Sequence, residues 1–313
     1  MNAQAQALSA SSGLLTGREW NAAHLQELFR LAADVKAHPE RYKTALSGKF
    51  LAMIFEKPSL RTRVTFEVGI ASLGGTAIFL DHADQHLGER ESVPDVARSL
   101  SRWVNGIVAR VFSQEALELL ASFSTVPVIN ALSDVYHPCQ TMADFFTLQE
   151  KCGSARGVTL AYVGDGNNMA HSLMIEAARA GAHLRIATPA GYEPDAAIVA
   201  AAQRDAVETQ GTIEIFRSPE DAVKGAQAVY TDVWASMGQE SETAERSAIF
   251  APYQVNAALM SHALPDAIFM HCLPAHRGSE VTAEVLESPC SIVFDQAENR
   301  LHVQKAILLM LLN

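Results

Sequence analysis

Apolar runs of strand length alternate along the first half of the chain with segments whose apolar residues recur at helical spacing. The strand-like runs are KFLAMIF (49–55), TAIFL (76–80), GIVARVF (106–112) and VPVIN (126–130). The segments between them have the spacing and length of helices, at 61–75, 93–104 and 114–123. Because strands that alternate with helices usually lie parallel, the pattern predicts a parallel sheet with helices on both faces.

The second half of the chain repeats this plan. Its apolar runs are VTLAYVG (158–164), HLRIATP (183–189), TIEIF (212–216), AVYTDVW (228–234) and AIFMHCLP (267–274). Helical patterns at 168–181 and 195–207 fall between them. The predicted fold class is therefore α/β, with two doubly wound parallel-sheet domains joined by connecting helices.

The domain boundary is predicted within HPCQTMADFFTLQEKCG, residues 137–153. Apolar residues fall at helical offsets in this segment, and Gly153 is a plausible stop for a connecting helix. A second apolar helix closes the chain at 299–313 and must pack on another element. We expect a first domain of residues 1–148, on which helix 299–313 packs, and a second domain of residues 149–298.

Charge and composition limit the possible partners. The 313 residues carry a formal net charge of −11, so the surface as a whole should repel nucleic acid and acidic membranes. An anionic substrate would then need a local cluster of positive groups. No stretch approaches the roughly 18–20 apolar residues of a membrane span. We therefore expect neither a nucleic-acid nor a membrane partner.

Cysteine usage and the first residues indicate a compartment. The four cysteines show no CxxC spacing, and a chain of this length does not need disulfides to fold. Residues 1–17 lack a basic region followed by an apolar core, and they also lack the arginines of a transit peptide. We expect reduced thiols and a cytoplasmic location.

The segment FEKPSLRTRVTFE, residues 55–67, places cationic and hydroxyl groups directly after an apolar run. Ser59 is a good helix N-cap, and a helix N-terminus offers backbone N–H groups to an anion. Arg61, Thr62 and Arg63 add guanidinium and hydroxyl donors, which are the groups that bind phosphate. The alternative is an ordinary capped helix whose arginines pair with Glu56 and Glu67.

Two further segments of the first half offer donors. Arg110 lies near the carboxyl end of a predicted strand, the edge at which open α/β sheets bind ligands. His137 precedes a proline, which keeps it out of the helical region, and Gln140 follows at the start of the connecting helix. The alternatives are that Arg110 is a surface arginine and that His137 is a structural or solvated histidine. Cys139 is interpreted as a packing residue.

Three segments of the second half carry polar groups at predicted strand ends. YVGDGNNMAHS (162–172) lacks both GxGxxG and the P-loop pattern, so Asn167 and Asn168 either cap a helix or bind a polar head group. Asp232 precedes the loop residues Ser236, Met237 and Gly238, and an acid there suits a cationic amine. His271 and Cys272 end another run. Since successive strand residues point to opposite faces, we expect them to share neither a metal nor a Cys–His dyad.

Taken together and in this order, the six segments resemble the aspartate/ornithine carbamoyltransferase family, over nearly the whole chain from FEKPSLRTR to AENR (297–300). The HCLP and SMG stretches favour its ornithine branch. The resemblance implies a two-domain transferase that moves the carbamoyl group of carbamoyl phosphate to the δ-amine of ornithine. It also implies a homotrimer or a multiple of trimers, and neither a metal nor another cofactor, since carbamoyl phosphate already carries a good leaving group.

The resemblance also assigns roles to residues. The first domain would bind carbamoyl phosphate and the second ornithine. The phosphate would be held by Ser59, the Leu60 backbone, Arg61 and Thr62, the carbamoyl group by Arg110, His137 and Gln140, and Arg300 would return to the same site. Ornithine would be bound by Asn168, Asp232, Ser236 and Met237, with Cys272 and Leu273 between the substrates. The catalytic set would be Arg110, His137, Asp232 and Cys272.

Two departures from the family pattern affect these assignments. The phosphate motif usually reads S-T-R-T-R, and Leu60 replaces its first Thr. The family usually has Gln in QLG, a residue expected to reach a neighbouring subunit's carbamoyl phosphate. Here the sequence reads DQHLG, which leaves either His86 or Gln85 for that position.

Three alternative functions stay open at the level of sequence. A sister carbamoyltransferase would act on putrescine or an N-acylated ornithine. A nucleotide-binding α/β protein would use GDGNN, and a non-catalytic relative would be expected to lack the arginines or Cys272. The sequence decides neither the direction of the reaction nor the number of trimers.

Overall fold

The computed structural model of the chain describes residues 13–82, 86–235 and 242–313. Contacts divide these residues into two compact units. The first comprises the described residues up to Ala143 together with Glu298–Asn313, and the second comprises Asp144–Ala297. The division falls within one long helix, at Ala143, whereas the sequence boundary was placed at 148.

The first unit contains a parallel sheet in which the described strands run in the order β2-β1-β3-β4. The strands are β1 (Phe50–Phe55), β2 (Thr76–Asp81), β3 (Gly106–Arg110) and β4 (Val128–Leu132). The helices of this part of the chain are α1 (Ala22–Ala37), α2 (Leu60–Ser72), α3 (Val93–Leu100), α4 (Gln114–Phe123) and α5 (Pro138–Cys152). A 3-10 helix lies at Pro39–Tyr42. Every residue of β1 after Phe50 is buried, as expected for a central strand covered on both faces.

The second unit contains a parallel sheet with the order β7-β6-β5-β8-β9 among its described strands. The strands are β5 (Thr159–Val163), β6 (His183–Ala187), β7 (Thr212–Phe216), β8 (Ala228–Thr231) and β9 (Ile268–His271). The helices are α6 (Asn168–Ala180), α7 (Ala196–Thr209), α8 (Pro219–Val223), α9 (Thr243–Phe250), α10 (Ala257–Met260) and α11 (Ala283–Leu286). The last helix, α12 (Val293–Leu312), begins in this unit and belongs to the first unit from Glu298 onward. A 3-10 helix also lies at Ala251–Tyr253. The two parallel sheets with their helices confirm the predicted α/β class.

Each sheet has a point at which the order of its strands reverses. In the first sheet the chain runs outward from β1 to β2 and then returns to place β3 on the other side of β1. In the second it runs outward from β5 to β7 and returns to place β8 beside β5. Ligands of open α/β sheets bind outside the carboxyl ends of the strands at such points. These are the ends of β1 and β3 in one unit, and of β5 and β8 in the other.

Apolar burial fixes both sheets. In the first unit, Ile54 and Ile107 on the sheet pack with Ala97 of α3 and Leu117 of α4 in one cluster. In the second, Val163 and Val229 pack with Phe250 and further buried residues. Within the described ranges, none of the helices is long and apolar enough to cross a membrane.

Candidate active site

The phosphate segment lies at the reversal point of the first sheet. β1 and β3 are neighbours, with Phe55 in register with Arg110. Ser59 occupies the N-cap position of α2 in an extended conformation, as predicted, but its side chain makes no capping hydrogen bond. The first turn of α2 contains no acidic residue. The backbone N–H groups at this helix end and the local positive dipole therefore suit an anion.

Side chains of the α2 start differ in orientation. Leu60 is 74% exposed, so its side chain is turned to solvent whereas its backbone belongs to the first turn. Arg61 is half-buried. Thr62 is buried, and its Oγ1 accepts a hydrogen bond from Nη2 of Arg300 at 2.7 Å. Arg300, which lies 238 positions later in the chain, thus contacts the phosphate motif.

Arg110, His137, Gln140 and Arg300 are all buried in the first unit. Burial holds the pKa of the His137 imidazole well below its usual range, and the positive charges of Arg300 and Arg110 lower it further. His137 is therefore neutral at physiological pH and can donate a hydrogen bond without carrying a charge. Buried cationic groups beside a neutral donor suit a ligand that combines an anionic group with a carbonyl oxygen.

Burial also raises the pKa of the nearby Cys139 thiol to about 12. Its Sγ donates to the Asn130 carbonyl oxygen at 3.2 Å. A buried thiol that stays protonated is not a nucleophile. Cys139 is a packing residue, in agreement with its interpretation from the sequence.

The alternative interpretation was that the α2 arginines pair with Glu56 and Glu67. The structure shows such a pair for Glu67. Arg63 pairs with Glu67 at 3.0 Å and lies over the Phe79 ring. Glu56, by contrast, accepts backbone N–H groups from Leu87 and Phe112. Arg63 is therefore an ordinary surface residue of the helix, and Glu56 has a different function in the fold.

His86 is half exposed, and its Nδ1 lies 3.8 Å from Oε2 of Glu56. Its ring meets the Phe112 ring edge-on, with centroids 4.8 Å apart. Gln85, the other candidate for the position of the family's Gln, lies outside the described residues.

The second group of candidates lies at the reversal point of the second sheet, where β5 and β8 are neighbours. Asn167 is the N-cap of α6: its Oδ1 accepts N–H groups of Met169 and Ala170. Its Nδ2 donates to Oδ2 of Asp232 at 3.1 Å. Asn168 follows as the first residue of α6 and is half-buried. Asn167 thus caps α6 and bonds Asp232, while Asn168 lies at the same edge of the sheet.

Asp232 is bonded through both carboxylate oxygens. Oδ1 accepts the S–H of Cys272 at 2.9 Å and the N–H of Val233 at 2.8 Å. Oδ2 accepts from Asn167. These bonds fix the direction of the carboxylate, and each oxygen can accept a further donor. The arrangement can bind a cationic or neutral amine beside a thiol.

The glycine-rich loop before α6 has a packing function. A Cβ atom on Gly166 would lie 2.2 Å from the Pro194 backbone nitrogen, so a side chain cannot be accommodated there. Burial raises the pKa of Asp165 to about 6, although the neighbouring Arg246 guanidinium lowers it. Arg246 donates to Asp165 at 3.0 Å. The loop is therefore held by close packing and an ion pair, which weakens the nucleotide-loop alternative.

Strand alternation predicted that the donor atoms of His271 and Cys272 would be kept apart, and the structure instead brings them close together. Donor atoms of Asp232, His271 and Cys272 all lie within 4.8 Å of one another. The reason is that β9 ends at His271, so the alternation of a strand no longer applies to Cys272. The following Leu273 has a φ of +58°, which turns the chain sharply.

The hydrogen bonds of His271 nevertheless argue against a metal. Its Nδ1 accepts the N–H of Leu273 at 2.8 Å, so Nε2 carries the proton and donates to Oε1 of Glu280 at 3.1 Å. Neither ring nitrogen then offers a lone pair to an ion. His271 is instead a buried support for the turn at Cys272 and Leu273. Ser236 and Met237, predicted to bind ornithine, lie outside the described residues.

Sequence reasoning missed the supporting acids: it gave Glu56 only as a possible arginine partner, and it did not single out Asp165 or Glu280. All three are buried; the partners of Glu56 and Asp165 are distant in the chain, whereas Glu280 bonds His271 nine positions before it. The available signal was an acid in or next to an apolar run.

Comparison with known proteins places both halves of the chain. Residues 13–150 match the family model described as aspartate/ornithine carbamoyltransferase, carbamoyl-P binding domain. Residues 156–311 match the model described as aspartate/ornithine carbamoyltransferase, Asp/Orn binding domain. Together the two models cover most of the chain.

Individual relatives agree with the family models. The ornithine carbamoyltransferase of Thermococcus kodakarensis is 56% identical over 267 residues, which are 85% of this chain and 85% of the relative. The anabolic ornithine carbamoyltransferase of Pyrococcus furiosus is 53% identical over 94% of this chain and 92% of its own length. The solved structure of the Pyrococcus furiosus ornithine carbamoyltransferase has a TM-score of 0.94 at 51% identity, over 97% of each chain. The chain therefore belongs to the aspartate/ornithine carbamoyltransferase family.

Proposed function

We propose that the chain transfers the carbamoyl group of carbamoyl phosphate to the δ-amine of L-ornithine, giving L-citrulline and phosphate. The observation that carries the proposal is the 2.9 Å hydrogen bond from Cys272 to Asp232. Cys272 belongs to the HCLP stretch that favours the ornithine branch, and its thiol lies beside an acid suited to an amine. Relatives named ornithine carbamoyltransferase, 53–56% identical, support the same substrate.

Carbamoyl phosphate binds to the first domain, residues 1–148 with helix 299–313. The start of α2 supplies backbone N–H groups from Ser59 and Leu60, and Arg61 and Thr62 complete the phosphate site. Arg300, whose guanidinium donates a hydrogen bond to Thr62, adds a positive charge to this site. The match of residues 13–150 to a carbamoyl-P binding model supports this assignment.

Arg110, His137 and Gln140 bind the carbamoyl group. Attack by the amine moves negative charge onto the carbonyl oxygen, and donors already in place stabilise that charge without reorganisation. His137 serves as a neutral donor, because burial and two arginines keep it deprotonated. No metal or organic cofactor is required, since the phosphate is a good leaving group.

L-Ornithine binds to the second domain, residues 149–298. Asn168, Ser236 and Met237 hold its amino-acid end, and Asp232, Cys272 and Leu273 lie at the reacting amine. An ammonium group has no lone pair, so the δ-amine must lose a proton before attack. Asp232 accepts a hydrogen bond from the amine and orients it. The proton lost before attack passes to solvent, and the proton that the nitrogen releases after attack passes to the departing phosphate.

Copies of the chain assemble into a homotrimer or a multiple of trimers in the cytoplasm, where the enzyme serves arginine biosynthesis. One face of α2 supports the assembly: the apolar side chains of Val64 and Val68, one helical turn apart, are 45% and 47% exposed. An apolar stripe of this kind is typical of a surface that another subunit covers. Light scattering of a Val64→Asp variant should give a smaller particle than the unsubstituted chain. Equal masses would exclude this stripe as the contact.

The substrate is tested by assaying carbamoylation of L-ornithine, putrescine and N-acetylornithine in parallel. We expect kcat/KM for ornithine to exceed the other two by about 100-fold or more, because the unpaired polar groups of the site penalise a missing carboxylate or amine. Asp232→Asn serves as the inactive control. Preferential carbamoylation of putrescine or N-acetylornithine would establish the sister activity instead.

A further inference from the structure

We propose that Glu56 is a positioning residue for carbamoyl phosphate binding, which holds the loop carrying His86 against the strand end carrying Arg110. This inference rests on the proposed function and identifies a buried carboxylate that organises its phosphate-binding half. Glu56 lies directly after β1 and has a side chain only 3% exposed.

The carboxylate of Glu56 joins two segments that are distant in sequence. Its Oε1 accepts the N–H of Leu87 at 2.5 Å, and its Oε2 accepts the N–H of Phe112 at 2.7 Å. Each carboxylate oxygen thus accepts a backbone N–H from a different segment. One side chain therefore fixes the backbone next to His86 and the backbone two residues after Arg110.

The backbone of Glu56 reinforces the contact with β3. Its N–H donates to the carbonyl oxygen of Arg110 at 2.9 Å. Glu56 therefore holds the backbone on both sides of the Arg110 side chain. Its N–H donates to the Arg110 carbonyl oxygen, and its carboxylate accepts the N–H of Phe112. A shift of the Glu56 side chain would break its hydrogen bond with Phe112, and the direction of the Arg110 side chain would then change.

His86 packs against Phe112 and so belongs to the same group of contacts as Glu56. The His86 ring meets the Phe112 ring edge-on, and its Nδ1 lies 3.8 Å from Oε2 of Glu56. Nζ of the buried Lys57 lies 4.0 Å from the centroid of the Phe112 ring. His86 is therefore held by an aromatic contact and by the carboxylate, while half of its side chain stays exposed to meet a ligand.

Substitution of Glu56 should act on one substrate. Glu56→Gln keeps one oxygen acceptor but turns an amide N–H toward a backbone N–H, so one of the two bonds is lost. Glu56→Asp keeps the charge, but the side chain is one methylene shorter and cannot reach both N–H groups. We expect each variant to raise KM for carbamoyl phosphate about tenfold and to change KM for ornithine less than about twofold.

A double-mutant cycle with His86→Ala distinguishes positioning from a general structural effect. If Glu56 acts through the His86 loop, Glu56→Asp should raise KM for carbamoyl phosphate by less than about threefold in the His86→Ala background. Full tenfold effects in both backgrounds would overturn the proposal. So would a Glu56→Asp enzyme with the KM of the unsubstituted chain.

Glu176→Gln is the matched control, because Glu176 is also buried and pairs with Arg179 at 3.3 Å in the other unit. It should leave KM for carbamoyl phosphate within about twofold of the unsubstituted chain. An equal rise in this control and in Glu56→Asp would overturn the proposal. Calorimetry of carbamoyl phosphate binding to the unsubstituted chain and to Glu56→Asp tests Glu56 even if no citrulline forms, an outcome that refutes the proposed function alone.

Discussion

Cys272 donates a hydrogen bond through its Sγ to Oδ1 of Asp232 at 2.9 Å. The contact follows from the register of the second sheet, in which Thr231 of β8 pairs with His271 of β9. The next residue of each strand leaves the sheet at the same edge, so the acid and the thiol meet. Strand pairing therefore builds the amine site of the proposed enzyme.

Removing the thiol should impair ornithine use. We expect Cys272→Ala to lower kcat/KM for ornithine by about 10- to 100-fold, the range for a hydrogen bond to a charged group. Cys272→Ser, which keeps a donor, should retain more activity. Cys152→Ala is the control, because Cys152 is exposed. Steady-state kinetics with varied ornithine measures the effect, and unchanged turnover and KM in Cys272→Ala would remove the role.

Arg110 should be required for carbamoyl phosphate. We expect Arg110→Met to lower kcat/KM for carbamoyl phosphate by about 10²- to 10³-fold, because a buried donor to the developing oxyanion is lost. Arg30→Met tests the loss of an arginine that is 65% exposed and pairs with Glu27. Its kinetic constants should stay within about twofold of the unsubstituted chain. Similar losses in both variants would argue against a specific function of Arg110.

His137 should make stability depend on pH. The folded chain holds its pKa well below 6.5, the ordinary value that applies after unfolding. Below that pH the unfolded state binds more protons, so stability falls as pH falls, by at most about 1.4 kcal/mol per pH unit. His137→Asn lacks this contribution.

Urea midpoints at pH 7.5 and pH 5.5, at one protein concentration, measure the difference. The unsubstituted chain should lose about 1 kcal/mol more than His137→Asn between the two values. Parallel changes in the two proteins would mean that folding does not lower the pKa of His137.

Leu60→Thr, which restores the residue usual in the family motif, should change little in phosphate binding. The Leu60 side chain is 74% exposed, so the position can act only through its backbone. We expect KM for carbamoyl phosphate to change less than about twofold, as for a typical surface substitution. A gain of tenfold would show that the hydroxyl contributes a contact that this chain lacks.

Much of the fold could be predicted from apolar runs, but the ends of the strands could not. The run 106–112 indicated a longer strand than β3, which ends at Arg110. The pairing of β3 with β4 shifts register between Ala109 and Arg110, and this interruption has no counterpart in hydrophobicity. Similarly, the run 267–274 continues past β9, which ends at His271 before the positive φ of Leu273.

The candidate site was predictable where a residue lies at a strand end, and not where it depends on strand order. Asp232 and Cys272 could each be found from the end of an apolar run. That they touch requires β8 and β9 to be neighbours, which a single sequence does not reveal. The position of Glu56 after an apolar run did not reveal its role, because its backbone partners lie 31 and 56 positions away.

Helix α12 has a consequence for how the molecule is made. The first unit includes Glu298–Asn313, and Leu312 of this segment contacts the start of β3, where a Cβ on Gly106 would lie 2.8 Å from it. A ribosome adding about 5–20 residues per second needs roughly 8 to 30 s to travel from Ala143 to Glu298. Throughout that interval the nascent first unit lacks part of its apolar cover. The time for which the nascent chain needs chaperone protection should therefore depend on when residues Glu298–Asn313 are synthesised.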